Sequence, residues 1–499
     1  MGGELRDKVA SGVAWSIAEK VGSMLLQMGV SIVILRLLTP EQMGIMAIPV
    51  VFSSLALVMV DSGFSQTLIR KAVPSEEDYK SVFVFNIAVS VLLYLLLVGA
   101  MPWIARFYGM PELVRIAPVL FLLVPLNALC VIQNTIFTRQ FRFARLSKVV
   151  FTSSLVSGLV AIGMAWAGCG IWSLVGQRVV AMGVRAMLLW GLSDWRPRAA
   201  FDAGRLRAMA PYSFRLLATD LISSVYNNVS QLFVGKLYAA DVLGFFNQAQ
   251  KLKELPVTST MQAVQSVTFP ALSKIADDER KFAESYRQVV MIVAFVMLPM
   301  MAGLIVVAPE MVDSLLGEKW MPMVPYFQVI SLAGMFAPIA TVSNNVLKVK
   351  SNGRIAPIAT VSNNVLKVKS NGRIIVRLEV VKKIVMTLVL ILTIPHSVLA
   401  VTWGLSAMAF FEMILNFGAT TRYAGLTAGR FLRTLLPIAS ATAAMFGVVW
   451  AFGHFTSFAP LPTFLLKVAV GVVCYAGFGA LFRLEAMRVA WELVKKLFR

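Results

Sequence analysis

Charge is scarce in this chain. Only 14% of its 499 residues are Asp, Glu, Lys or Arg, against 58% in the hydrophobic class. Soluble domains carry about 25% charged and 45–50% apolar residues. The deficit excludes a water-soluble core protein. It also excludes a large domain outside a membrane, because no long polar stretch is left to build one. Histidine is limited to His396 and His454, too few for a histidine metal site or relay. The cysteines Cys130, Cys169 and Cys474 lie far apart inside apolar segments. None has the C-x-x-C spacing of a metal or redox centre, so they read as small buried hydrophobes. A secretory signal peptide is not expected: Glu19 and Lys20 interrupt the first apolar run, and no small-residue cleavage site follows.

What the chain has instead is long apolar runs. A transmembrane helix needs about 20 mostly apolar residues. Runs bounded by charge or by Gly, Pro and Asn clusters predict fourteen helices. They fall at 12–35, 43–60, 81–105, 113–137, 149–168, 171–193, 211–234, 240–262, 288–308, 322–346, 375–395, 398–420, 434–454 and 461–482. Strands are excluded, since the runs are too long and lack period-2 alternation. The tail RLEAMRVAWELVKKLFR, 483–499, reads as a basic amphipathic helix on the membrane surface.

The net charge of +21 is explained by its placement. With the N-terminus in the cytoplasm and sides alternating, 34 of the 46 Lys and Arg residues fall on the cytoplasmic side. Arg36, Arg106, Arg115, Lys236 and Lys319 fall opposite. This is the positive-inside bias, and it predicts two cytoplasmic termini. The charge therefore reads as topology and contact with anionic lipid, with no nucleic acid as partner.

Two repeats are present. RLLTPEQMG, from Arg36 to Gly44, aligns with KLYAADVLG, from Lys236 to Gly244, at an offset of 200. MPWIARFYGMPELV, from Met101, resembles APEMVDSLLGEKWMP, from Ala308, more weakly. The unit is six helices, so the two copies share an orientation and relate by an axis along the membrane normal. The expected organisation is an all-α membrane protein. It has a six-helix bundle over 1–195, a second over 196–425, helices 13 and 14 over 426–482 and the tail over 483–499. Two facing bundles are the architecture of an alternating-access carrier. The second repeat is of another kind: APIATVSNNVLKVKSNGRI stands at 337–355 and again, identically, at 356–374. An in-frame duplication or an assembly error accounts for it better than function. An added membrane crossing there would invert helices 11–14 against the charge bias, so the extra copy is expected on the cytoplasmic side.

Several segments resemble one family. They are DSGFSQTLIRK (61–71), SVYNNVSQLFVGKLYAADVLGFFNQAQKLKELP (224–256), FPALSKIADDERKFAESYRQ (269–288) and GEKWMPMVPYFQVISLAGMF (317–336). They are similar to the Wzx-type polysaccharide flippases of bacteria, in the superfamily (MOP) of the lipid II flippases and MATE-type multidrug exporters. The resemblance spans essentially the whole chain, and the block from Tyr226 to Pro256 is its most specific part. It implies a fourteen-helix, V-shaped carrier of the inner membrane. The carrier would move undecaprenyl-pyrophosphate-linked repeat units from the cytoplasmic to the periplasmic face. Its partners would be that lipid-linked oligosaccharide, membrane lipids and other polysaccharide assembly proteins. The chemistry would be transport, not bond making. A MATE-like small-solute or multidrug exporter is the alternative.

Ionisable groups inside spans are costly unless they face a cavity or a partner. Arg178 and Arg185 lie nearly two turns apart on helix 6 and point to one side. They read as a cationic stripe for a pyrophosphate, or as a structural ion pair with Glu19 or Asp220. Lys20, Arg215 and Lys251 are further substrate-cavity candidates; snorkelling for Arg215 and pairing with Glu254 for Lys251 are the alternatives. Pro256 should kink helix 8 just after Lys251 and Lys253. Asp61, Asp220 and Glu412 are candidates for coupling to H⁺ or Na⁺, or for partnering a basic side chain. No other cofactor and no metal is expected. Asn227, Asn228 and Gln231 either meet sugar hydroxyls or join helices, and helix joining is the stronger reading. A membrane polymerase or ligase is disfavoured because no long outer loop exists. A buried-histidine acyltransferase is disfavoured because His396 and His454 sit at outer helix ends. The in-membrane charges argue against a mere scaffold.

Overall fold

The computed structural model describes residues 22, 24–61, 63–275, 278–351, 372–424, 427–455 and 458–489. Among them every regular element is helical. Two compact units divide the chain, 1–244 and 245–499. Lys20, residues 352–371 of the duplicated segment and 490–499 of the tail lie outside the described residues.

The first unit contains α1 (Met24–Leu37), α2 (Pro40–Asp61), α3 (Phe64–Arg70), α4 (Glu76–Tyr108), α5 (Leu113–Leu120), α6 (Leu123–Arg139), α7 (Phe143–Trp166), α8 (Trp172–Leu192) and α9 (Ala203–Leu237). Helix α4 shows how local chemistry sets the limits. Ser75 and Asp78 form a reciprocal capping box, and Glu76, Glu77 and Asp78 place negative charge on the first turn. Gly109, at φ 68°, ends the helix in the left-handed region. Gly317, at φ 96°, ends a later helix in the corresponding place of the weaker repeat. The fourth predicted span proves to be two helices, α5 and α6, broken at Phe121–Leu122. Pro125 accounts for the break: it has no N–H, and its ring would crowd the carbonyl four residues back. The second predicted span is met by α2, and past Gly63 the chain continues into the short α3. Within this unit α2 packs against α9, α6 and α4, and α8 against α7 and α6.

Helix α10 (Ala240–Lys274) starts at the end of the first unit and runs into the second as one helix through Pro256. The second unit continues with α11 (Glu279–Leu316), a short 3₁₀ turn at Glu318–Met323, α12 (Val324–Ser351), α13 (Gly372–Thr393), α14 (Val398–Ala424), α15 (Ala428–Phe455) and α16 (Pro460–Leu481). Asp278 caps α11 by accepting from Lys281 N at 3.0 Å. A core of Tyr286, Val290, Met297, Ile339 and Val346 joins α11 to α12. The Tyr286 hydroxyl is satisfied by Ser343 Oγ at 2.7 Å.

Nine helical segments among the described residues are long and apolar enough to cross a membrane. Helices α8, α9, α10 and α13 fall outside that set. These are the helices that carry Arg178 and Arg185, Arg215 and Asp220, Lys251 and Lys253, and Lys382 and Lys383. The surface fits a bilayer. Leu92, Leu95 and Leu96 of α4 are exposed, as are Trp103, Trp166 and Trp450 near the ends of α4, α7 and α15. Tryptophans at helix ends mark the interfacial belt of a membrane protein.

Candidate functional site

In the first unit α8 carries Arg178 and Arg185. Seven residues rise about 10.5 Å and return within about 20° of the starting direction, so the two share a face. Both are half-buried. Arg185 Nη2 lies 3.4 Å from Asn134 Oδ1 on α6, and its Nε is buried with no partner. Neither guanidinium meets a carboxylate among the described residues. An ion pair with Asp220 is therefore not formed, and Glu19 lies outside the described residues.

A second cluster forms where α2 ends. Asp61 Oδ1 accepts the Ser65 hydroxyl at 2.5 Å. Between them Gly63 adopts φ 68°, and a Cβ there would stand 2.7 Å from Ser213 O of α9. Only glycine combines that backbone with so close an approach. Thr67 Oγ1 and Ser213 Oγ, 2.8 Å apart, hold the same junction. Asp220, two turns on along α9, lies within electrostatic reach of Asp61. The fold thus brings two of the three coupling candidates together.

Further along α9 the polar residues divide. Gln231 is buried and its Nε2 donates to Ala47 O at 3.2 Å, so it joins α9 to α2 and is not available to a sugar through that nitrogen. Asn228 Nδ2 donates to Ser224 O of its own helix at 2.8 Å. Asn227 is exposed. Arg215 is exposed and its Nε donates to Pro211 O at 2.8 Å.

In the second unit Lys251 is exposed on α10. Glu412 of α14 sits within electrostatic reach of Lys382, Glu379 and Lys383 of α13. Lys382 is buried and donates to Glu379 Oε1 at 2.8 Å. Glu412 therefore has a basic neighbour.

Sequence reasoning passed over Asn86, Gln133 and Asn134. The amides of Asn86 and Gln133 are fully buried with no partner among the described residues. Their signal was available: Gln133 and Asn134 are adjacent amides in the middle of an apolar helix, where a polar side chain is costly. Glu310 was also missed. It accepts from Lys467 Nζ at 2.6 Å, a pairing across 157 positions that no periodicity encodes.

The lipid II flippase MurJ in an inward closed conformation superposes with a TM-score of 0.70 at 12% identity, covering 94% of this chain and 98% of that one. The apolar helices define an integral membrane protein, and its all-helical fold is that of the MurJ structure. A family model described as "Polysaccharide biosynthesis protein" matches residues 33–325, more than half of the chain. The chain belongs to that polysaccharide biosynthesis family, as its resemblance to the Wzx-type flippases implied. Teichuronic acid biosynthesis protein TuaB of Bacillus subtilis is 27% identical over 301 residues, 59% of this chain and 62% of that protein. The match thus spans less than two thirds of TuaB. Succinoglycan biosynthesis transport protein ExoT of Rhizobium meliloti is 24% identical over 335 residues, 67% of this chain and 68% of that protein.

Proposed function

We propose that this chain is a flippase for lipid-linked oligosaccharide repeat units in the bacterial inner membrane. The observation that carries the reading is Arg178 and Arg185. They stand on one face of a membrane-depth helix with no carboxylate partner among the described residues, in a chain of the polysaccharide biosynthesis family. Two guanidiniums about 10.5 Å apart along a helix suit a diphosphate, whose oxygens accept forked hydrogen bonds. Nothing in this task requires bond making; the side chains need only replace water around a charged headgroup as it crosses.

The nine apolar spans, with α1 and the charged helices α8, α9, α10 and α13, make fourteen. With the basic loops inside, both termini are cytoplasmic. Lys20, Arg215 and Lys251 would extend the cationic path. The carboxylates Asp61 and Asp220, and separately Glu412, are the groups through which H⁺ or Na⁺ would drive alternating access. Other polysaccharide assembly proteins would take the flipped unit. A drug exporter of the same fold finds less support, because the family match is to polysaccharide biosynthesis.

The test is polysaccharide export in a strain deleted for the gene. Arg178→Ala and Arg185→Ala should each impair export at unchanged protein level. Full complementation by both variants would overturn the diphosphate role.

A further inference from the structure

At the end of the second unit where α11 and α15 begin and α16 stops, the chain forms a half-open cavity of about 380 Å³. That lies within the range of small-ligand sites, roughly 300–1,000 Å³. Its wall holds four arginines, Arg287, Arg430, Arg433 and Arg483, and one carboxylate, Glu485. Arg287 is already neutralised: its Nη2 lies 2.5 Å from Glu485 Oε1 and 2.7 Å from Glu284 Oε1. The other three guanidiniums are exposed and meet no carboxylate among the described residues. Like charges converging on one cavity repel unless an anion joins them.

The backbone fixes where Arg483 and Glu485 stand. Arg483 has φ 48°, the left-handed conformation in which a helix end usually carries glycine. Its N–H bonds to Ala480 O at 3.1 Å, and Leu484 N bonds to Gly479 O at 2.9 Å. This turn buries Leu484 and Ala486 and delivers Glu485 to Arg287. The residues around the charge are apolar. Met291, Ile438 and Phe482 line the cavity, and Leu432 and Leu436 of α15 and Leu481 of α16 are exposed close by in sequence. A soluble anion has no use for such flanks, whereas acyl chains cover them.

We propose that this cavity holds the phosphate headgroup of an anionic glycerophospholipid of the adjoining leaflet. Its acyl chains lie along α15 and α16, and it ties the C-terminal segment to the membrane. The site is separate from the transport reading and stands whatever the cargo.

The full chain in phosphatidylcholine nanodiscs, titrated with phosphatidylglycerol, tests this by native mass spectrometry of bound lipid. Phosphatidylglycerol should be retained in preference to phosphatidylcholine. The triple variant R430Q/R433Q/R483Q should bind it about a hundredfold more weakly, each arginine at an anionic surface being worth roughly fivefold. R430Q alone, an exposed change on α15, should lose about fivefold and guards against a folding defect in the triple variant. R178A/R185A should bind the phospholipid normally, which separates this site from the transport path. Unchanged phosphatidylglycerol retention in both cavity variants would overturn the proposal. So would displacement by inorganic diphosphate at equal concentration, which would mark a site for soluble anions. Preferential capture of a polyprenyl diphosphate would do the same, by making the cavity part of the cargo route.

Discussion

Gly44 and Gly244 pack reciprocally, each against the main chain where the other's helix begins. A Cβ on Gly44 would stand 1.6 Å from Ala240 O, and one on Gly244 would stand 2.0 Å from Pro40 O. The two glycines occupy the same place in the repeat, 200 positions apart. The contact is therefore reciprocal, each glycine meeting the start of the helix that carries the other. Small residues permit such backbone approach between membrane helices.

Either Gly44→Ala or Gly244→Ala must push these segments apart by more than an ångström. Overpacking of this kind costs about 1–3 kcal/mol. Each variant should lower the thermal midpoint of the purified protein and reduce export. Gly99→Ala, with nothing within 4 Å of the added carbon, should do neither. Normal stability in both contact variants would show that the segments do not close as described.

Asp78 anchors a second junction in the first unit. Its buried carboxylate accepts from Lys71 Nζ at 2.6 Å, Ser75 N at 2.8 Å and Arg205 Nη1 at 3.4 Å. Lys71 and Arg205 are each more than a third exposed, so water screens part of the attraction. Asp78→Asn should cost about 1.5–3 kcal/mol, the worth of hydrogen bonds to a charged group. Thermal unfolding in detergent measures it, and an unchanged midpoint would refute the anchoring role.

Lys467 reaches Glu310 because Gly453 lets it pass. A Cβ on Gly453 would lie 2.3 Å from Lys467 Cε, and the ion pair it permits is 2.6 Å long and largely buried. The pair ties α16 to α11 beside α15. Removing one partner strands the other, at about 3–5 kcal/mol. Glu310→Leu alone should therefore destabilise strongly, while Glu310→Leu with Lys467→Met should recover most of the loss. A double variant no better than the single one would contradict the pairing.

Spans, charge bias and the 200-residue repeat are local or periodic, so they can be read directly. Arg178 and Arg185 stood out because charge in an apolar run is expensive. The meeting of Gly44 with Gly244, or of Glu310 with Lys467, depends on how distant helices pack, and periodicity carries no such information. Helix breaks lie between these cases. Pro125 was visible, but the same residue type is absorbed by the continuous α4 at Pro102, so surrounding packing decides.

The C-terminal segment should respond to pH. Hydrogen bonding to Arg287 holds the Glu485 carboxyl below its ordinary value. A carboxyl depressed in the folded state stabilises fully above its unfolded pKa and loses that contribution as pH falls through the folded value. Docking of residues 484–489 should therefore be complete at neutral pH and weaken below the usual carboxylate range. A fluorophore on Met487→Cys, with Cys130, Cys169 and Cys474 replaced by Ser, would report release on acidification. Glu485→Gln should show partial release already at neutral pH, and a flat profile from neutral to acid in the parent protein would exclude the link.

Reconstitution is the direct test of translocation of a lipid-linked diphosphate sugar. The purified chain is placed in liposomes whose inner leaflet carries a polyprenyl-diphosphate oligosaccharide. A sugar-oxidising reagent confined outside then reads how much becomes accessible. Exposure should run well above that in protein-free liposomes, with the rate falling sharply in R178A/R185A at equal protein incorporation. Exposure no faster than in empty liposomes under an imposed H⁺ or Na⁺ gradient, or equal rates for the double variant and its parent, would contradict it.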